Sequence, residues 1–280
     1  MYKILKKKIL NPTVTLMEVH APFVSKKALA GQFIILRVND DGERIPLTIV
    51  DTNKEVGSVT IIYQVVGATT LMLNALEEGQ FIKDFVGPLG VPTHTNGIKK
   101  ALIIGGGVGS AIAYAVAKKL HSDGADVHSV IGFRNKDLVI LEEEFDVISN
   151  KLIVMTDDGS YKNKGFVTNA LNDLITEGND YDAVFAIGPL IMMKNIVEIT
   201  KKYNIKTIVS MNPIMIDGTG MCGGCRLTVD GKTKFACVDG PDFNGFEVDF
   251  DEAMSRNSIY KEFEKHKYSE TCNLLNKEVQ

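Results

Sequence analysis

Asp217, Cys222, Cys225 and Cys237 stand at the spacing Asp-x4-Cys-x2-Cys-x11-Cys, four donors gathered in one short stretch, DGTGMCGGCRLTVDGKTKFAC. This is the plant-type 2Fe–2S spacing with a carboxylate in place of the first cysteine, and ferric iron accepts oxygen ligands as well as thiolates. Gly218, Gly220, Gly223 and Gly224 suit a loop that must curl tightly and bring backbone N–H groups close to sulfur, because residues without Cβ accept positive φ and close approach. The last donor follows a hairpin pattern: RLTV, an Asp230–Gly231 turn, then KTKFAC. Two plainer readings stand beside this one. Asp before Gly is a common turn pair, and three cysteines with one carboxylate also suit a tetrahedral structural zinc. Zinc sites more often pair two Cys-x2-Cys units, whereas here one pair is flanked by single donors, which favours iron–sulfur. Cys272, in the polar tail, falls outside the pattern.

A second chemical signal is the glycine run Gly105-Gly106-Gly107-Val108-Gly109, placed between the apolar run ALIIG and the helical pattern SAIAYAVAKKL. Glycines at such a junction let a phosphate approach the backbone, where unpaired N–H groups and the helix dipole favour negative charge. GGGxG is looser than the GxGxxG fingerprint, so a tight turn with close helix packing remains the alternative. Other strand ends carry Gly132-Phe133-Arg134, Asp157-Asp158-Gly159 and Gly188-Pro189, where open α/β sheets bind ligands. Asp157 and Asp158 could hydrogen-bond a ribose or a nicotinamide amide. Arg134 could stack on adenine or meet a 2′-phosphate, and a solvated arginine is the simpler reading. Gly106, Gly107, Val108, Gly109, Arg134, Asp157, Asp158, Gly188 and Pro189 form the expected NAD(H) site.

The third signal is Arg44-Ile45-Pro46-Leu47-Thr48-Ile49. On a strand, Arg44, Pro46 and Thr48 share one face, so a cation can hold a phosphate while a hydroxyl reaches further along the same ligand.

The elements that must position these residues change character twice along the chain. Up to about Pro92 the sequence offers short β-rich runs (YKILKKKIL, TVTLMEV, GQFIILRV, RIPLTIVD, SVTIIYQVV) separated by turn residues, with one helix expected over Thr69 to Leu76; this reads as a small antiparallel barrel. After Gly97 strand and helix patterns alternate, and five strands predict a doubly wound parallel sheet. The expected divisions are 1–96, 97–210, 211–250 for the cysteine segment and 251–280 for a charged, helix-like tail. A chain of 280 residues, 45% hydrophobic with net charge −4, has room for two cores. No basic stripe suggests nucleic acid, no run reaches membrane-spanning length, and no signal-peptide pattern opens the chain. Four cysteines, three in a metal-type motif, fit a reducing compartment, and the cytoplasm is the expected location.

A barrel carrying R-x-x-x-T on a strand, then a dinucleotide unit, then a 2Fe–2S segment resembles the ferredoxin-reductase-type flavoproteins. The order RIPLTI, IIYQVVGATT, GPLG, LIIGGGVG and the cysteine segment is similar to the electron-transfer subunit of dihydroorotate dehydrogenase. The phrases TDDGSYKNKGFVT, AIGPLIMMK, NPIMIDGTGMCGGC and FACVDGPDFNG resemble more closely the small subunits of NADH-dependent reduced ferredoxin:NADP+ oxidoreductases, which have Asp in the first ligand place where the dihydroorotate group has Cys. The resemblance implies a ferredoxin-reductase-like fold: an N-terminal β-barrel FAD domain, a doubly wound α/β NAD domain and a C-terminal 2Fe–2S segment. It implies FAD held by Arg44, Pro46, Leu47, Thr48, Ile62, Tyr63, Val65, Gly67, Thr69 and Thr70, with Arg44 and the helix start near Thr69 at the pyrophosphate and Thr48 near the isoalloxazine edge. Where many relatives have an aromatic ring two places after the Arg, this chain has Pro46, so stacking falls to another residue such as Tyr63. The resemblance further implies an electron-bifurcating oxidoreductase in which a larger flavin/iron–sulfur subunit oxidises NADPH, reduces ferredoxin, and sends a second electron through this chain's cluster to FAD and NAD+ in a heterodimer. Flavin is what joins two-electron hydride chemistry to one-electron clusters, so no Ser-His-Asp site or carboxylate pair is required, and no histidine is assigned a role.

Overall fold

The computed structural model describes residues 1–278, with side chains described to residue 273. The first seven strands are β1 (Tyr2–Asn11), β2 (Val14–His20), β3 (Phe33–Arg37), β4 (Arg44–Asn53), β5 (Ser58–Gln64), β6 (Phe81–Ile82) and β7 (Asp84–Leu89); α1 (Pro22–Lys27) follows β2 and α2 (Ala68–Ala75) follows β5. They form one antiparallel sheet ordered β6-β1-β2-β5-β4-β3-β7. Its two edge strands are consecutive in the chain, with Lys83 alone between them, so the sheet curls into a nearly closed barrel. Side chains alternate: Ile34, Leu36, Ile49, Ile61 and Tyr63 fill the interior, with Ile45 and Leu47 packed against it. The opposite parity of β4, namely Arg44, Pro46, Thr48 and Val50, faces outward.

The second unit alternates β8 (Lys100–Gly106), α3 (Gly109–Ser122), β9 (Asp126–Phe133), α4 (Glu142–Ile148), β10 (Lys151–Thr156), β11 (Asn163–Lys164), α5 (Val167–Thr176), β12 (Ala183–Ile187), α6 (Leu190–Lys202) and β13 (Thr207–Ser210). Its sheet runs β11-β10-β9-β8-β12-β13 in parallel, as the sequence pattern predicts, with the two-residue β11 as an addition at one edge. One face is covered by α3 and α4, the other by α5 and α6. The strand order reverses about β8, so the crevice outside β8 and β12 is the place where such a sheet takes ligands. Val14, Val50 and Ile62, from the outside of the barrel, join the core on the α3 side and fix the two units against each other.

The segment from 211 onward is woven into both units. β14 (Arg226–Val229) and β15 (Lys232–Phe235) form the expected hairpin, and its turn residues Asp230 and Gly231 both have positive φ (52° and 67°), as a type I′ turn requires. β16 (Asp242–Asn244) then pairs antiparallel with β13, adding a strand from the cysteine segment to the nucleotide sheet. α7 (Phe250–Asn257) is capped by Asp249, whose carboxylate accepts from Glu252 N at 2.9 Å, and packs on α6. α8 (Lys261–Glu278) returns to lie against α2. No helix among the described residues is long and apolar enough to cross a membrane.

Asp242 marks the junction of all three parts. Its carboxyl accepts from Thr93 Oγ1 at 2.5 Å, on the connection between barrel and sheet. Burial raises its pKa above the ordinary carboxylate range, against the lowering effect of the Thr93 and Ser210 hydroxyls and of His94. The folded state therefore binds this proton more tightly than the unfolded chain. Its contribution to stability is present below the unfolded carboxylate pKa of about 3.9 and declines as pH rises through the folded value. Asp242→Asn is expected to remove that decline and to melt at the same temperature or higher at pH 7; thermal unfolding of both proteins across pH checks it, and a variant with the wild-type pH dependence contradicts the assignment.

Candidate functional site

At the cysteine loop, Gly218, Gly220 and Gly223 all have positive φ (76°, 81° and 68°), the conformation that lets the chain double back between Asp217 and Cys225. Cys225 and Cys237 are each 1% exposed, and their sulfurs lie 3.3 Å apart. Burial, then the neighbouring Cys225 thiol, pushes the Cys237 thiol up to about 12, against a backbone N–H of Gly220 directed at its sulfur. Cys222 is exposed on the same loop. Asp217 uses both carboxylate oxygens locally: Oδ1 accepts from Thr219 N and Oδ2 from Cys222 N, each at 2.9 Å. The Thr219 and Cys222 N–H groups hold its carboxyl below the usual range, with slight burial opposing them.

Thus the structure brings Cys225 and Cys237 together and closes the loop with Asp217. Among the described residues no three His, Cys, Asp or Glu side chains converge as a formed metal site. The donors nevertheless suit a thiolate-bound metal group in kind. Two buried sulfurs sit side by side with a backbone N–H aimed at one of them, and a carboxylate and a third thiol lie within the same turn.

At the head of the nucleotide sheet the loop after β8 turns at Gly107 (φ +56°), whose N–H donates to Gly132 O at 2.9 Å. Gly109 opens α3 against the end of β12: a Cβ there would lie 2.7 Å from Ile187 O and 2.8 Å from Gly188 Cα, so only glycine lets the helix start this close. Gly106 through Gly109 and Gly188-Pro189 therefore meet across the crevice. Arg134, Asp157 and Asp158 are exposed at the neighbouring strand ends. Asp158 is engaged in its own turn, accepting from Ser160 N at 2.9 Å, while the Asp157 N–H donates to Phe133 O at the end of β9, extending the β9–β10 ladder by one bond. Sequence reading passed over two residues here. Ser110 Oγ, in the first turn of α3, and Asn135 Oδ1, just past Arg134, are buried polar atoms with no hydrogen-bond partner. Their one sequence signal was adjacency to the motifs already singled out.

Along the barrel, Arg44 is exposed and Pro46 and Thr48 are half-buried on the outer face of β4. Leu47 turns its side chain toward the barrel interior, and Ile62 packs toward α3, so neither offers its side chain to a ligand on that face. Val65 is packed against the barrel core. Tyr63 requires a correction: it is 1% exposed inside the barrel, so its ring presents no face for stacking. Gly67 is the N-cap of α2, and Thr70 Oγ1 accepts from Val66 N and Gly67 N, both at 3.0 Å. Thr69 is buried beside it. With the Thr70 side chain spent on the turn, the first-turn N–H groups of α2 are the donors left for an anion.

A cavity of about 310 Å3 lies between the cysteine loop and the start of α6, lined by Leu190, Met211, Pro213, Ile216, Cys222 and Arg226.

Residues 212–249 match the family model for the iron–sulfur cluster binding domain of dihydroorotate dehydrogenase B. A relative from Thermotoga maritima, described as a dihydroorotate dehydrogenase B (NAD(+)) electron transfer subunit homolog, is 48% identical over 89% of this chain and 88% of its own length. Among solved structures, a chain of the NADH-dependent reduced ferredoxin-NADP oxidoreductase, a protein studied for flavin-based electron bifurcation, superposes with a TM-score of 0.92 at 44% identity over 96% of this chain and 97% of its own. An Amycolatopsis cytochrome P450 reductase shares the fold at a TM-score of 0.61 and 20% identity, over 73% of this chain and 66% of its own.

Proposed function

Because the chain belongs to the family of dihydroorotate dehydrogenase B electron transfer subunits and their homologs, we propose that it is the FAD- and 2Fe–2S-containing small subunit of an electron-bifurcating NAD(H)/NADP(H)/ferredoxin oxidoreductase. The observation that carries the finer reading is the 44% identical structural match over 96% of the chain, together with Asp217 in the first ligand place. FAD, when bound, would join the two-electron hydride chemistry of NAD(H) to the one-electron chemistry of an iron–sulfur cluster. The chain's own residues have simpler tasks. Arg44 and the open N–H groups at the start of α2 would hold the FAD pyrophosphate, and Thr48 would meet the flavin edge from the outer face of β4. The glycines at 106, 107 and 109 would admit the NAD(H) pyrophosphate to the start of α3, with Gly188-Pro189 opposite. Cys222, Cys225, Cys237 and Asp217 would hold the cluster, and the buried sulfur pair supports iron over a purely structural role for the loop.

The assembly is a heterodimer with a larger flavin/iron–sulfur subunit that oxidises NADPH and passes electrons to ferredoxin. The cytoplasm suits a chain in which Cys222, Cys225 and Cys237 form no disulfide.

A second reading, the electron-transfer subunit of an NAD-dependent dihydroorotate dehydrogenase, is favoured by the name of the Thermotoga relative. One purification separates the readings. Flavin bands, iron, acid-labile sulfide and a co-purifying subunit that oxidises NADPH are the expected result. A colourless preparation without sulfide defeats every redox reading, and a dihydroorotate-oxidising partner moves the protein to the second.

A further inference from the structure

The outer face of the barrel links the flavin strand to the cysteine loop through two side chains that the chemistry does not use. In the β3–β4 register Ile35 lies opposite Pro46 and Phe33 opposite Thr48, so these residues share the outward face. Phe33 and Ile35 do not belong to the barrel interior; they are buried in the same apolar cluster as Cys225 and Cys237. Gly218, next to Asp217, rests directly on this surface: a Cβ there would lie 2.7 Å from Leu89 Cδ1 and 2.9 Å from Ile35 Cδ1. The far end of the segment is seated nearby, where a Cβ on Gly90 would meet Phe33 Cε1 at 2.7 Å and Pro241 Cδ at 3.0 Å, and Val91 N donates to Gly240 O at 2.7 Å.

We infer that Ile35 and Leu89 are positioning residues that form the seat of the cluster loop and set its separation from the flavin-bearing face of β4. Ile35 touches both sides, Pro46 across the ladder and Gly218 above it. The inference rests on the FAD and cluster assignments proposed above. On that reading electrons from the larger subunit arrive singly: each reduces one ferric ion of the cluster to ferrous, the ion returns to ferric as the electron crosses to FAD, and two electrons with a proton leave FAD as the hydride that turns NAD+ into NADH. NADH supplied to the chain alone drives the same crossing in reverse, from FAD to the cluster. The gap each electron crosses is spanned by Ile35 and Leu89. Close packing transmits a change of even one methylene, so truncating the seat lets the loop shift without altering a ligand.

The test uses the full-length chain with Ile35→Ala, Leu89→Ala and the double variant, with Ile35→Leu as the volume-conserving control. FAD and iron per chain, and the rate at which NADH bleaches the flavin, are expected to match wild type. Cluster reduction is expected to slow several-fold in the alanine variants and to recover in Ile35→Leu. Amide hydrogen exchange over residues 216–224, read on the chain without added substrate, is expected to speed up in the same variants. Wild-type cluster reduction with wild-type exchange overturns the inference, as does an equal slowing of the flavin and cluster steps. A chain that never carries FAD or iron overturns the functional reading instead, and the exchange comparison still decides whether Ile35 and Leu89 seat the loop. Should the alanine variants not fold, Ile35→Val and Leu89→Met carry the same comparison.

Discussion

Replacing Cys225 or Cys237 with serine is expected to give a chain that stays yellow with flavin but loses its iron and acid-labile sulfide. The two sulfurs are 3.3 Å apart, each 1% exposed, and the loop joining them has no spare thiol. Cys222 is exposed on the same turn, and Cys272 lies on α8, which is packed against α2. A serine hydroxyl is a poor ligand for a cluster, and in the cluster-free fold it is a buried polar group in an apolar site, worth about 1–3 kcal/mol of destabilisation if unpaired. The barrel does not depend on this loop for its core, which is closed by Ile34, Leu36, Ile61 and Tyr63, so flavin binding at β4 and α2 is expected to persist. Iron and sulfide analysis with low-temperature EPR checks the loss, and flavin absorbance checks the retention. Wild-type iron in either variant would remove that cysteine from the ligand set.

The periodicities that carried fold and site into the sequence reading failed where a strand is buried on both faces or is too short to show a period. The alternation of apolar strands with helical patterns between Ala101 and Ser210 announced a parallel sheet, and the Asp230–Gly231 turn announced its hairpin. β5 shows the limit: Ile61, Ile62 and Tyr63 are all buried, Ile61 and Tyr63 inside the barrel and Ile62 against the neighbouring unit. Period-two reasoning cannot tell which parity faces a ligand on such a strand, so the resemblance that offers Tyr63 as a stacking ring in place of the aromatic missing at Pro46 has no periodicity to check it, and the ring lies inside the barrel. β16 escaped because three residues, Asp-Phe-Asn, carry no period at all; only the tertiary pairing with β13 makes them a strand. The seat at Ile35 and Leu89 was invisible for a related reason. Both read as ordinary barrel residues, and what distinguishes them is the glycine that lands on them from 129 residues or more further along the chain.

Asp217→Cys is expected to assemble a 2Fe–2S cluster with a changed EPR spectrum and a changed midpoint potential. The structure gives Asp217 one role outright, since its two oxygens accept the Thr219 and Cys222 N–H groups and so hold the loop closed. Spacing gives it a second, as the donor in the first ligand place. The substitution separates the two roles. A cysteine keeps a donor for iron but replaces both oxygens with one weak acceptor, so the cluster-free loop loses the hydrogen bonds from the Thr219 and Cys222 N–H groups that hold it closed. If the carboxylate is a ligand, exchanging oxygen for sulfur changes the electron density at one iron and the N–H groups available to the cluster, two of the factors that set a cluster potential. Asp217→Asn completes the test, because its amide oxygen retains one N–H acceptor while its neutral side chain is a far weaker iron ligand. Cluster loss or a shifted potential in Asn, with a shifted potential in Cys, assigns Asp217 to the iron. Unchanged spectra and potentials in both, with altered amide exchange at residues 218–222, assign it to closing the loop alone and leave the fourth ligand to be sought elsewhere.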